Sequence, residues 1–258
     1  MAAVAQGATY YVTPSGAGNG QGGAFTNAMS WATARTAGGA GNTYYLAAGN
    51  YTRLVTGASG TAGNPIRYVK ATTATCGGVD GFDSAWDNQS IQAVQGIDFN
   101  HNYVVIDGVN ANGINCDSYD GTDWAGQYAS CVDFVGANYS TCLWVHAECT
   151  VSEGADNICL VLMEGCTGDY IGHSTGIVLN NGGFIDYTTD CTVSDCDISE
   201  LWGTAAWHAN VFYMHNNYNL VLKNNVIHDF PNGVLGFAHE NYYGGNGIYI
   251  YGNVFYNC

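Results

Sequence analysis

Positive charge is what this chain has least of. It carries 5 Lys plus Arg against 21 Asp plus Glu over 258 residues, a formal net charge of −16. Nucleic-acid binding needs cations to neutralise phosphates, so that balance excludes a nucleic-acid partner. Charged residues of both signs reach only 10%, against roughly 25% in an ordinary soluble domain. Proline is scarce, at 3. No apolar run approaches the about 18 residues of a membrane-spanning helix, which excludes a span of that kind. There is no C-x-x-C pair, so a structural zinc site is not expected. The opening MAAVAQGATYYV lacks the basic start and apolar stretch of a secretory signal. The expectation is that a signal was removed before this numbering, or that the chain leaves the cell by another route.

What is abundant points one way. Glycine stands at 36 and Tyr at 19, with many Asn and Thr, which suits strands and tight turns better than helices. Hydrophobic residues make up 47%, enough for a sizeable core. Ten cysteines are present. An even count is compatible with disulfides, yet a chain of this size does not need them. Most are read as small buried apolar side chains, with one or two disulfides as the rival reading.

Along the chain, ATYYVTPS (8–15) reads as a first strand ending in a Pro turn. NAMSWATARTA (27–37) reads as a short helix with Met29, Trp31 and Ala32 inward and Asn27 as cap. TYYLAAGNYT (43–52) and NPIRYVKAT (64–72) follow as short strands, and 73–94 reads as irregular. Beyond residue 95 the chain repeats itself. YVVIDGVNANG from Tyr103, DCTVSDCDISE from Asp190, NLVLKNNVIHD from Asn219 and GIYIYGNVFYN from Gly247 superpose without gaps. Apolar residues fall at the second, fourth and ninth places: Val104, Ile106, Ala111; Cys191, Val193, Ile198; Leu220, Leu222, Ile227; Ile248, Ile250, Phe255. Alternation over the first half is a strand with one buried face, and the odd step to the ninth place is a corner. At the seventh place stand Val109, Cys196, Asn225 and Asn253, where an inward Asn would hydrogen-bond to the same corner of the next coil. Such a unit buries its apolar side only by stacking on its neighbours, which makes an all-β solenoid of parallel sheets. Residues 129–182 are read as further coils with a lateral loop.

The pattern resembles the single-stranded right-handed parallel β-helix of the pectate-lyase-like superfamily. The opening YYVTPSGAGNG, then TYYLAAGNYT, SGTAGNPIRYVKA and NYVVIDGV resemble its amino-terminal cap and first coils. The resemblance implies a cap with first coils over 1–94 and β-helix coils over 95–258, continuous as one domain. It implies two kinds of function, because the superfamily includes polysaccharide lyases and bacteriophage tail spikes and fibres. Family lyases use a Lys or Arg as base, often beside calcium held by Asp residues.

Here the bases are few: Arg35, Arg53, Arg67 and Lys70 in the cap and early coils, and Lys223. Lys223 follows Leu222 and points outward, so it is the candidate base for β-elimination; a solvated surface Lys is the plainer reading. Hydrolysis needs two carboxylates on one face, and Asp195, Asp197, Glu200, Asp229 and Glu240 lie in successive coils. The Asn-Thr-Asp and Asp-Asp motifs of polygalacturonase-like hydrolases are absent. His208, His215, His228 and His239 cluster in the last third, near Trp207, Asp229 and Glu240, without metal-ligand spacing. The catalytic candidates are therefore Lys223, His208, Asp229, His239 and Glu240. For calcium, DSYDGTDW offers Asp117, Asp120 and Asp123; no other cofactor is required.

Outward aromatics are the second signal. Tyr249 and Tyr251 alternate with Ile248 and Ile250, and Trp207, Tyr213, Tyr242 and Tyr243 lie on neighbouring coils. Flat apolar rings with a polar tip suit sugar rings or a subunit interface. GIYIYGNVFYNC stops within a coil, so other subunits or self-association are expected to cover that coil. The first expectation is a non-enzymatic surface, fibre or tail-spike component, extracellular or on a virion, that assembles and binds a polysaccharide or surface glycan. The alternative is a polysaccharide-degrading enzyme, lyase before hydrolase, acting in a groove of the β-helix.

Overall fold

The computed structural model describes residues 7–111, 113–117, 129–148, 158–178, 181–200, 211–230, 235–237 and 247–258. Within them the chain is a right-handed parallel β-helix. Its strands fall into three sheets of 10, 8 and 7 strands. From residue 104 onward each coil contributes one strand to each sheet in turn, so a strand pairs with its counterpart one coil away. The last coils show the path: Leu220–Lys223 in the first sheet, Val226–His228 in the second, Leu235–Phe237 in the third, then Ile248–Tyr251 back in the first. All strand pairs of Val104–Asp107 and beyond are parallel. One continuous cluster of buried side chains runs from Val12 to Phe230. Among the described residues no helix is long and apolar enough to cross a membrane.

The repeat is visible as columns. Val193, Leu222 and Ile250 stack in register in the first sheet, and Ile198, Ile227 and Phe255 in the second. Between the two sheets the chain turns within two residues, and the first of these takes positive φ: Trp144 (57°), His173 (53°), Asp195 (56°), Asn224 (56°) and Gly252 (67°). The residue after it points inward, and where it is Ser174, Asn225 or Asn253 it ties coil to coil. Asn225 is fully buried; its Oδ1 accepts from the Cys196 amide at 3.0 Å and its Nδ2 donates to Val193 O at 3.2 Å. Asn253 repeats this one coil on, accepting from the Asn225 amide at 2.8 Å. Each buried corner group thereby finds a partner.

Two local expectations are corrected. Ala111 is exposed, and Ile114 and Cys116 take the columns assigned to Val109 and Ala111. This corner holds a longer excursion whose glycines lie against backbone: a Cβ on Gly108 or Gly113 would meet Trp144 O at 2.4 Å. The cap helix is Trp31–Ala37, with Ser30 rather than Asn27 at its N-cap, accepting from the Thr33 amide. It buries Trp31 and Ala34, spaced by three, and leaves Ala32 exposed. Within 73–94 lie a helical turn, Thr73–Cys76, a 3-10 turn, Ser84–Asn88, and a strand, Ile91–Ala93. The two turns support a small second cluster in which Phe25, Phe82 and Trp86 pack edge to face.

Candidate functional site

Strand alternation decides which side chains leave the core. In the third sheet Val161, Met163, Ile185, Phe212 and Met214 face inward. The residues between them face out, and the parallel register stacks them into two rows. One row holds Asp98, Asp133, Leu162, Phe184 and Tyr213. The other, two residues further along the strands, holds Glu164, Asp186 and His215 on three consecutive coils. An outward row of ionisable groups spaced at ~4.8 Å concentrates acid–base capacity on one face.

The second row is wired together. His215 Nδ1 lies 2.9 Å from Asp186 Oδ1, and the Tyr187 ring stands edge-on to the imidazole at 5.9 Å. Asp186 is only 8% exposed. Burial pushes its carboxyl up, while the charge and hydrogen bond of His215 pull the other way. Glu164 is raised by burial and then by the neighbouring Asp186 charge. Two carboxylates on adjacent coils, both shifted towards neutrality and one held by a His, form an arrangement suited to proton transfer. Beside them Phe184 and Tyr213 stack at 5.3 Å and 14°. At the other end of the face, Arg53 Nη2 pairs with Asp98 at 2.8 Å, and Asp133 accepts from the Val135 amide.

The residues singled out in the sequence do not converge. Tyr213 lies on this face. Lys223 faces outward from the first sheet, in register between Ser194 and Tyr251, and Tyr249 and Tyr251 share that sheet. Tyr249 and Tyr251 are about half exposed, at 50% and 54%. Asp229 follows the second sheet, where its Oδ2 accepts from His228 Nδ1 at 2.6 Å, while His228 Nε2 reaches Asp197 at 3.0 Å. Three sheets thus carry three sets. Trp207, His208, His239, Glu240, Tyr242 and Tyr243 lie outside the described residues, as do Asp120 and Asp123. Asp117 ends a strand of the second sheet with Glu148 beside it in register. Calcium takes six to eight oxygen ligands, so those two carboxylates alone do not make its site.

The sequence reading missed Glu164 and Asp186. A signal was there: Asp186 and His215 are 29 residues apart, the same step as Asp190 to Asn219. Extending the repeat four residues upstream brings the pair together.

Among solved structures the chain is similar to pectate lyase Pel9A, with a TM-score of 0.53 and 15% identity over 88% of this chain. What the two share is the parallel β-helix fold. This chain spans 64% of that lyase's length. A pectin methylesterase from Aspergillus niger (TM-score 0.49, 14% identity) is covered over 87% of its length, and a rhamnogalacturonan lyase (0.48, 12%) over 69%. No family model and no curated protein matches the chain. Likeness at this level of identity shows the β-helix fold alone and leaves the reaction to the residues on its faces.

Proposed function

We propose that the chain is a polysaccharide-degrading enzyme that cuts its substrate on the outward face of the third sheet. The observation that carries this is the row Glu164–Asp186–His215 on consecutive coils. Between elimination and hydrolysis, the local charge favours hydrolysis. Eliminating a uronate requires its carboxylate to be neutralised, and the described cation of this face, Arg53, is engaged by Asp98. A neutral glycan meets no such obstacle.

In this reading Glu164, whose carboxyl is pushed up by burial and by the Asp186 charge, donates to the leaving glycosidic oxygen. Asp186, oriented by His215, acts as the second carboxylate. On the coil next to Glu164, Asp186 acts as nucleophile, which predicts retention of configuration. Phe184 and Tyr213 offer the stacking surface for an adjacent sugar ring. A polymeric glycan is met outside the cell, so the reading carries an extracellular location.

The test is a panel of neutral and acidic polysaccharides, with and without calcium, read for new reducing ends and for the ultraviolet absorbance of an unsaturated product. Reducing ends without that absorbance support hydrolysis. Unsaturated product that survives Asp186→Asn but is lost in Lys223→Ala moves the reaction to elimination at the first sheet. Binding without turnover returns the chain to a non-enzymatic surface component.

A further inference from the structure

At the corner between the third and first sheets, two consecutive coils bring together Cys166, Asp169 and Cys191. Their ligand atoms all lie within 4.8 Å of one another, and all three residues are buried. The two sulfurs are 3.6 Å apart. Two thiolates on one tetrahedral zinc, at about 2.3 Å each, stand roughly 3.8 Å apart, so the sulfurs need little movement to share an ion. A disulfide would need about 2.05 Å.

Asp169 supplies the second observation. It occupies an inward column of the first sheet shared with Val104, Ser140, Cys191, Leu220 and Ile248. Apart from Ser140, whose hydroxyl is hydrogen-bonded, the residues of that column in other coils are Val, Cys, Leu and Ile, yet here stands Asp169, only 1% exposed. Its Oδ1 accepts from the Ser140 amide at 2.6 Å, while Oδ2 is buried without a hydrogen bond. No Lys, Arg or His forms an ion pair with it among the described residues. A buried carboxylate oxygen left unpaired costs about 1–3 kcal/mol unless a proton or a cation meets it, and burial pushes this carboxyl up to about 7.

We infer that Cys166, Cys191 and Asp169 form a buried site for a thiophilic divalent cation of the zinc class, clamping two coils together. Two sulfur donors and one carboxylate select such an ion over calcium or magnesium. Three protein ligands leave a fourth position for water. The site lies inside the solenoid, apart from the outward row of the third sheet, so its role is to hold the corner.

The test strips the full chain with a chelator under reducing conditions and titrates it with Co2+, then Zn2+. Expected are a sulfur-to-cobalt charge-transfer band saturating at one equivalent, its displacement by Zn2+, and a rise in thermal midpoint with Zn2+. Cys191→Ser abolishes the band, Asp169→Asn weakens binding at least tenfold, and Cys142→Ser, a buried thiol outside the cluster, changes neither. Should Cys191→Ser not fold, X-ray absorption of the zinc-loaded parent chain reads the same point, with two sulfur scatterers expected. Absence of the band, a zinc shell without sulfur, or peptide mapping that finds Cys166 joined to Cys191 overturns the inference.

Discussion

His215 sits one coil from Asp186, its Nδ1 2.9 Å from the carboxyl Oδ1. The bond joins residues 29 apart in sequence whose strands are parallel and in register. Asn216 Nδ2 lies 3.0 Å from the same Nδ1 and 3.3 Å from Nε2, so the imidazole is held from two sides. It also opposes the burial that would neutralise Asp186.

Removing either partner has a distinct signature. Asp186→Asn lowers the hydrolytic rate by roughly 10²–10⁴-fold with the fold retained by circular dichroism. The pH profile is bell-shaped. Activity falls as pH drops and protonates Asp186, and falls as pH rises and ionises Glu164, whose carboxyl burial holds above its usual range. His215→Ala removes the interaction that lowers Asp186, so the acid limb moves to higher pH. An unmoved acid limb contradicts this wiring.

The Phe184–Tyr213 stack gives a binding prediction. Tyr213→Ala weakens glycan affinity about tenfold, equivalent to ~1.4 kcal/mol, when measured by calorimetry on Asp186→Asn protein to prevent turnover. Tyr249→Ala with Tyr251→Ala, on the first sheet, serves as the comparison; a larger loss there places the glycan on the sheet that carries Lys223.

Asn225 gives a stability prediction. Asn225→Leu leaves the Cys196 amide and Val193 carbonyl without their partner, at about 1–3 kcal/mol for each buried group. Denaturant unfolding reads the loss. Asn257→Ala, which removes an exposed bond to Asp229, shifts the midpoint little.

His228 supplies a pH-dependent term. Desolvation lowers its pKa, but hydrogen bonds and charge from Asp229 and Asp197 outweigh that, so the folded value lies above 6.5. Stability from this group is full below the unfolded pKa and is lost as pH rises through the raised folded value. Unfolding midpoints across that window decline in the parent chain and flatten in His228→Gln.

The solenoid was legible because each coil buries the same places. Leu220, Leu222 and Ile227 are buried, and Ile248, Ile250 and Phe255 continue their columns one coil on, where Ile250 and Phe255 are 37% and 40% exposed; the Asn225–Asn253 corner followed from the same spacing. Ala111 misled because the corner before Ile114 lengthens, which ungapped superposition hides. The candidate face was less legible. Outward residues have no apolar signature, and coil length varies: 35 residues between Asp98 and Asp133, 22 between Glu164 and Asp186 and 29 between Asp186 and His215. Sequence proximity therefore grouped Lys223 with Asp229, although a corner sends them to different sheets.

The most direct measurement compares the parent chain, Asp186→Asn and Lys223→Ala side by side on one neutral polysaccharide, following reducing-end release. The account predicts that Asp186→Asn loses at least about 100-fold while Lys223→Ala keeps the parental rate. Full activity in Asp186→Asn, or its loss in Lys223→Ala alone, contradicts it.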